Sequence, residues 1–396
     1  MKKIVISVVL VLVIVIFSLV WGKDSPEPSQ SLALINGLVI DGTGSPPVKG
    51  AVIVISKPHI VAVGPSIKVK LPPNIEVIDV QGSTILPGFI NTHVHHGYSE
   101  YNLQAWARAG VTTVRDLGAN PRAPLFSIRD NLNKINKNAR LIAAGPFLTA
   151  PAGYPLVPFG SSSALELDTI TEVRQKVKQL LDQGADVIKC GVESGDIFGL
   201  SIPVLSLEKL SEIVRIAHEQ NTRVSAHISV SKDLERALNA GVDDIAHMAV
   251  DSVPDRLIKR MIADDVYWVP TLELWTGVGH GFGEKAIHNL RRFNQAGGKV
   301  ALGTDYGGYI TEFDLGMPDR EIKYMQEAGM TPAQIIMAAT RNAAYVCNLA
   351  DTLGTIEPGK IADLLVVKDN PLHDLEALTE VQMVIHNGVI IRSQVP

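Results

Sequence analysis

The chain has 396 residues, 46% of them apolar and 19% charged, with a formal net charge of −5. That balance excludes a disordered chain, and the length excludes one small domain. Acidic and basic residues are mixed along it, so no basic field for nucleic acid is built in. At the start, Met1-Lys2-Lys3 precedes a run from Ile4 to Val20 that is apolar except for Ser7 and Ser18. Residues 1–22 have the layout of an export signal. The run is long for a cleaved signal and short for a span, so an uncleaved membrane anchor through residues 4–20 is the other expectation. Either way the chain is expected to be exported, to the periplasm or beyond the cell. Residues 23–30, KDSPEPSQ, form a polar linker. Cys190 and Cys347 are the only cysteines, fall in different elements, and are expected to be unpaired.

Residues 31–87 are strand-like, with β-branched runs punctuated by Gly and Pro: LALINGLVIDG, AVIVISKPHIVAVG and IEVIDVQGSTILPG. Residues 350–396 repeat that style in KIADLLVV and VQMVIHNGVII. Two β-rich ends around a long middle predict one small β-sandwich built from both termini. The middle, residues 88–349, alternates strand and helix. Candidate strands are 89–95, 112–118, 139–147, 186–191, 223–228, 243–248, 267–272 and 300–306. Between them, Thr171 to Asp182 places Val173, Val177, Leu180 and Leu181 on one helical face. Leu207 to Gln220 does the same with Leu210, Ile213, Val214 and Ala217. Ala109-Gly110, Gln183-Gly184, Ala240-Gly241 and Ala296-Gly297 read as helix C-caps. The pattern predicts an α/β fold, a (β/α)8 TIM-like barrel, whose chemistry sits at the C-terminal ends of the strands.

Six residues stand at or near such ends: His93 and His95 in FINTHVHH, Lys189 in DVIKCG, His227 in RVSAHI, His247 in DDIAHM and Asp305 in ALGTDYGG. His93 and His95 are two apart on a strand and share a face. Imidazoles and a carboxylate gathered there can hold a metal ion. Singly, His227 or His247 reads equally well as a core histidine, and Asp305 as the cap of a loop helix. His59, His218, His280, His288, His373 and His386 fall in expected surface helices, loops or the sandwich. Lys189 is the odd member, because an ammonium binds no cation and a barrel interior disfavours its charge.

The order HxH, Lys, His, His, Asp resembles the amidohydrolase superfamily, in its dipeptidase (prolidase-like) and imidazolonepropionase-related branch. The likeness runs from about residue 31 onward and includes NAAYVCNLADTLGTIEPGKIADLLVV. It implies two divalent ions, zinc by the donor chemistry, held by His93, His95, Lys189, His227, His247 and Asp305. It implies that Lys189 carries a carbamate derived from CO2, whose two oxygens bridge the ions. It implies that Asp305 is the general base and acid beside a water that the ions activate. Asn91 departs from the superfamily, which has Asp there. The activity implied is hydrolysis of an amide bond in dipeptides of Xaa-Pro or Xaa-basic type, or in N-acyl amino acids. Cyclic amide, imidazolone, lactone and phosphotriester hydrolysis are chemically adjacent, and a non-catalytic exported binding protein is the alternative of another class. Imidazolonepropionases use one metal and no carbamylated lysine, so Lys189 argues against that activity. Loop residues expected at the substrate are Tyr98, Tyr154, Glu193, Trp275 and Tyr306. Enzymes of this type associate, so a homo-oligomer is a further expectation.

Overall fold

The computed structural model describes residues 31–160, 163–309 and 311–395. The expected signal and linker lie outside the described residues. Among those described, no helix is long and apolar enough to cross a membrane.

The first five strands are β1 (Ser31–Val39), β2 (Val48–Ser56), β3 (His59–Pro65), β4 (Glu76–Asp79) and β5 (Thr84–Pro87). They join the last three in the chain, Leu364–Val367, Val381–His386 and Val389–Ser393, in one eight-stranded sheet. The join is the antiparallel pairing of β5 with Leu364–Val367, from Thr84↔Val367 to Pro87↔Leu364. Alternation sorts the side chains: Leu32, Leu34, Ile53, Ile55 and Ile85 pack in one cluster, and Ala33, Val52 and Val54 in another. Both termini build the unit, as expected, but the hydrogen bonds form one sheet where a two-layer sandwich was expected. The nine-residue β1 explains this. It pairs with β2 along one edge, and with β4 and then β5 along the other.

The middle is α/β with parallel strands. β6 (Phe89–Val94), β7 (Val111–Asp116) and β8 (Arg140–Ala143) form a three-stranded sheet. β9 (Phe147–Thr149), β10 (Ala164–Glu166), β11 (Val187–Gly191), β12 (Arg223–His227), β13 (Asp244–Ala246) and β14 (Tyr267–Val269) form a six-stranded one, in the order β10-β9-β11-β12-β13-β14. Gly145 and Pro146 divide the expected strand 139–147 between β8 and β9. The expected eighth strand, 300–306, is not a strand. Val300 bridges Trp268 and Tyr306 bridges Val94, with no ladder between. The cause is local: Asp305 has φ +65°, and the Thr304 and Asp305 amides both turn onto the His93 carbonyl. The parallel strands therefore make two sheets, not the single closed ring that was expected.

Helices fill the crossovers as their periodicity predicts. The helix Ile170–Asp182 buries Val173, Val177, Leu180 and Leu181, and Thr169 caps it by accepting from the Glu172 amide. The helix Leu207–Glu219 buries Leu210, Ile213, Val214, Ile216 and Ala217 behind the Ser206 cap. Each large side chain buried this way contributes about 1.5–3 kcal/mol. Gly184 and Gly241 end helices at φ +98° and +85°, the left-handed turn their positions require. Cys190 and Cys347 are both free and buried.

Two buried charged groups brace the interior. Arg115 on β7 grips Asp244 on β13 through two hydrogen bonds of 2.9 Å, and both side chains are fully buried. Arg115 also donates to the carbonyls of Thr92 and Val346, and Ser225 donates to Asp244. The pair thus ties the three-stranded sheet to the six-stranded one. Beside the site, Glu273 and Glu321 pin the helix Leu272–Val278. Glu321 accepts from the Glu273 amide, and Glu273 accepts from the Asp314 amide and meets Arg320 at 3.1 Å. Burial raises the Glu273 carboxyl to about 7 and that of Glu321 to about 8.

Asp244→Ala leaves the Arg115 charge buried and unpaired, so it should lose about 3–5 kcal/mol in denaturant unfolding. Arg115→Met with Asp244→Leu should lose less, because no charge is stranded. For Glu321 the folded carboxyl titrates above its unfolded value of 4.5. Its contribution is full below that pH and is lost as the pH climbs towards about 8. Glu321→Gln, which keeps the acceptor and cannot ionise, should melt with wild type near pH 5 and at least 2 °C or so above it at pH 9.

Candidate metal centre

His93 is on β6 and His95 just beyond it, both on the inward face. Their Nε2 atoms approach Asp305 Oδ1 at 2.9 and 3.1 Å. His227 ends β12, and His247 follows β13 with φ +74°. The His93–His247 and His227–His247 ring centroids are 4.6 and 4.5 Å apart. His93, His247 and Asp305 each bring one donor atom within 4.8 Å of the others. Lys189 stands on β11, fully buried. The structure thus gathers His93, His95, His227, His247 and Asp305 around one spot, with Lys189 buried in the wall beside them.

The bonding of these atoms tests whether a cation fits. His93 Nε2, both His227 nitrogens, Asp305 Oδ1 and Lys189 Nζ are buried without a hydrogen-bond partner. His93 Nε2 and Asp305 Oδ1 are close, yet the imidazole N–H direction misses the oxygen, as when two ligands face a common point rather than each other. Native proteins rarely leave so many buried polar atoms unpaired in one place. Neutral imidazoles and an ionised carboxylate are the forms a divalent ion needs. Burial lowers His93 to about 3 and holds His247 well below its usual value. Burial works against the Asp305 anion, but the imidazoles facing it, among them His95, which holds its proton more firmly than usual, keep the carboxyl well below its usual range. The residues present fit a metal centre.

Burial lowers Lys189 to about 7. The bland alternative is a charged lysine neutralised by a carboxylate such as Asp305. No hydrogen bond reaches Nζ, and Asp244, the carboxylate that most favours its charge, is already held by Arg115. Near pH 7 a large share of Lys189 is therefore the neutral amine.

Neighbouring residues fix the orientation of these side chains. His247 Nδ1 lies 2.9 Å from Thr271 Oγ1, and His95 Nδ1 lies 3.3 Å from the Gly118 carbonyl. Asn91 donates to Thr304 Oγ1 and accepts from the His93 and Thr304 amides, so it ties β6 to the Asp305 turn. Gly308 is required: a Cβ there would sit 2.2 Å from Asp305 Oδ2.

The expected loop residues divide. Tyr154 stacks on His227 at 4.0 Å between centroids, and burial keeps its hydroxyl protonated. Glu193 is fully buried, 3.6 Å from His227 Nε2, too long for a hydrogen bond. Tyr98 and Trp275 line clefts that open from the site. Tyr306 turns to Trp106 and Phe313 at 5.1 and 6.1 Å, contacts of packing. Sequence reasoning missed Thr271 and Asp116. Asp116 ends β7, accepts from the Gly97 and Gly118 amides and lines the cleft beside His95. As a carboxylate at a strand end, it carries the signal that singled out Asp305.

The amidohydrolase family model matches residues 84–391. The chain is 26% identical to the ochratoxinase of Aspergillus niger, over 91% of this chain and 86% of that one. It is 27% identical to the imidazolonepropionase of Fusobacterium nucleatum subsp. nucleatum, over 79% of this chain and 84% of that one. Among solved structures, it resembles a Xaa-Pro dipeptidase with bound methionine in the active site. That likeness has a TM-score of 0.78 and 26% identity, over 91% of this chain and 99% of that one. The order of the site residues, their convergence and these matches agree: the chain belongs to the amidohydrolase family, in the dipeptidase and imidazolonepropionase-related branch, and is a hydrolase acting on carbon–nitrogen bonds.

Proposed function

We propose that the chain cleaves the amide of a small molecule, a dipeptide of Xaa-Pro type or an N-acyl amino acid. Two divalent ions would be held by His93, His95, Lys189, His227, His247 and Asp305. The observation that carries this is the set of orphaned polar atoms on His93, Lys189, His227 and Asp305, buried on and beside the parallel strands. Imidazole-rich donors favour zinc. When bound, the ions supply Lewis acidity and a water that ionises near neutral pH.

The chain's own residues do the rest. Asp305 accepts the proton of the attacking water and returns it to the leaving nitrogen. Tyr154, protonated and stacked on His227, donates to the scissile carbonyl oxygen. The neutral Lys189 amine adds to CO2: a nitrogen–carbon bond forms, one proton leaves, and the anion gains two oxygens. Tyr98 and Glu193 shape the walls of the site. Support for a closed (β/α)8 ring comes from 300–306, whose backbone bonds reach both Trp268 and the β6 residues Thr92 and His93. Residues 88–349 form that unit, and 31–87 with 350–396 form the terminal sheet. Residues 1–22 direct export, with 4–20 able to remain as a membrane anchor.

Asp305→Asn keeps a metal-binding oxygen and loses the base. Metal content by plasma mass spectrometry should match wild type, while turnover of an amide library falls at least about 10³-fold. Retained turnover would sink the assignment. Lys189→Ala should bind fewer ions per chain, and wild type prepared with bicarbonate should weigh 44 Da more in native mass spectrometry, a carbon dioxide adduct.

A further inference from the structure

Two clefts open from the metal centre, and their walls differ. The one beside His95, about 490 Å³, is lined with His95, His96, Asp116 and Asn120 as well as apolar groups. The other, about 180 Å³, touches His227, His247 and Asp305 at its floor. Its walls are Ile197, Phe198, Leu274, Trp275, Val278 and Phe282. Away from the metal centre, no lysine, arginine, aspartate or glutamate lines it among the described residues, and its polar groups include His280, the Ser229 hydroxyl and the phenols of Tyr154 and Tyr309. The apolar character continues outward. Tyr154, Phe159 and Tyr309 follow one another at 5.9 and 6.0 Å, and Phe159 and Tyr309 are 47% and 39% exposed.

Size and chemistry together define what enters. A cavity of about 150 Å³ lined by apolar side chains holds one benzene ring. A charged group there would lose its water and find no counter-charge, which burial penalises heavily. We propose that this cleft is the specificity pocket for one substituent of the amide, that the substituent is uncharged, apolar and about the size of one six-membered ring, and that Trp275 and Val278 select it. This rests on the hydrolase activity proposed above. Of the two dipeptide types the family likeness implies, it favours an apolar residue such as proline, leucine or phenylalanine and disfavours a basic one. Polar parts of the substrate face the His95 side.

The test is kcat/KM for the zinc-loaded full chain on two matched series of amides. One series varies the acyl side of the scissile bond and the other the amine side. Each carries benzyl, isobutyl, hydrogen, aminobutyl or carboxyethyl. In one series, benzyl and isobutyl should exceed hydrogen by about 10- to 100-fold, while the two charged groups do not exceed it. Trp275→Ala should reduce that preference to about threefold or less, mainly through KM. Val278→Glu on the cleft wall should weaken benzyl and raise aminobutyl, and it keeps the test alive if Trp275→Ala fails to fold. Robust turnover with charged groups preferred, or with hydrogen equal to benzyl in both series, overturns the pocket and leaves the hydrolase standing. Turnover of no member, with metal bound, removes both.

Discussion

The buried pair of Arg115 and Asp244 is the constraint around which the interior is arranged. A guanidinium and a carboxylate withdrawn wholly from water are tolerable only if each is nearly saturated with hydrogen bonds. Here Arg115 spends its donors on Asp244, Thr92 and Val346, and Asp244 also accepts from Ser225. Those partners lie on β6, β12, β13 and the helix Arg341–Val346, so one charged knot fixes the strands that carry His93 and His227. It also decides the state of Lys189. In the parallel register Lys189 lies beside Ser225, and Ser225 beside Asp244. Asp244 is two strands from Lys189, about 10 Å, and already neutralised. Burial, with the Arg115 charge beside it, outweighs the carboxylates of Asp244 and Asp305 and lowers the Lys189 amine to about 7.

Backbone strain marks the same region. His96, His247, Thr271 and Asp305 all have positive φ, from +50° to +74°. For a β-branched residue such as Thr271 that is unusual and costs of order 1–3 kcal/mol. At His247 and Asp305 these turns accompany side chains that face the site, where His93, His247 and Asp305 bring their donor atoms within 4.8 Å of one another. Thr271 is held there by the contact with His247, and Asp305 by the His93 carbonyl.

This is why the sequence could be read so far and no further. Helices such as Ile170–Asp182 were legible because their apolar spacing is local, and the order of the six site residues was legible because each follows its own apolar run. The turn at Asp305 was not, since VALGTDY opens on an apolar run like the other strands and only the contact with the His93 carbonyl bends it. Nor was the pairing of Arg115 with Asp244, 129 residues apart, or the hydrogen bond from the Glu273 amide to Glu321, because contacts across a fold leave no local pattern. Tyr306 was expected at the substrate as one of the loop residues. Its side chain, one residue on, instead meets Trp106.

The helix Leu272–Val278 links chemistry to selection. Thr271, just before it, contacts His247, and Trp275 and Val278 within it face the apolar cleft. Its N-terminal turn is held by Glu321, and Glu273 in that turn reaches the Asp314 amide. A shift of this helix cannot move the cleft wall without also moving the group that orients His247. Trp275 on the cleft wall and the Thr271 contact to His247 thus sit on one element, so a movement of either is felt by the other. A protein that had kept only a binding role would have no need of that coupling, nor of Gly308, whose missing side chain leaves the Asp305 carboxylate its room.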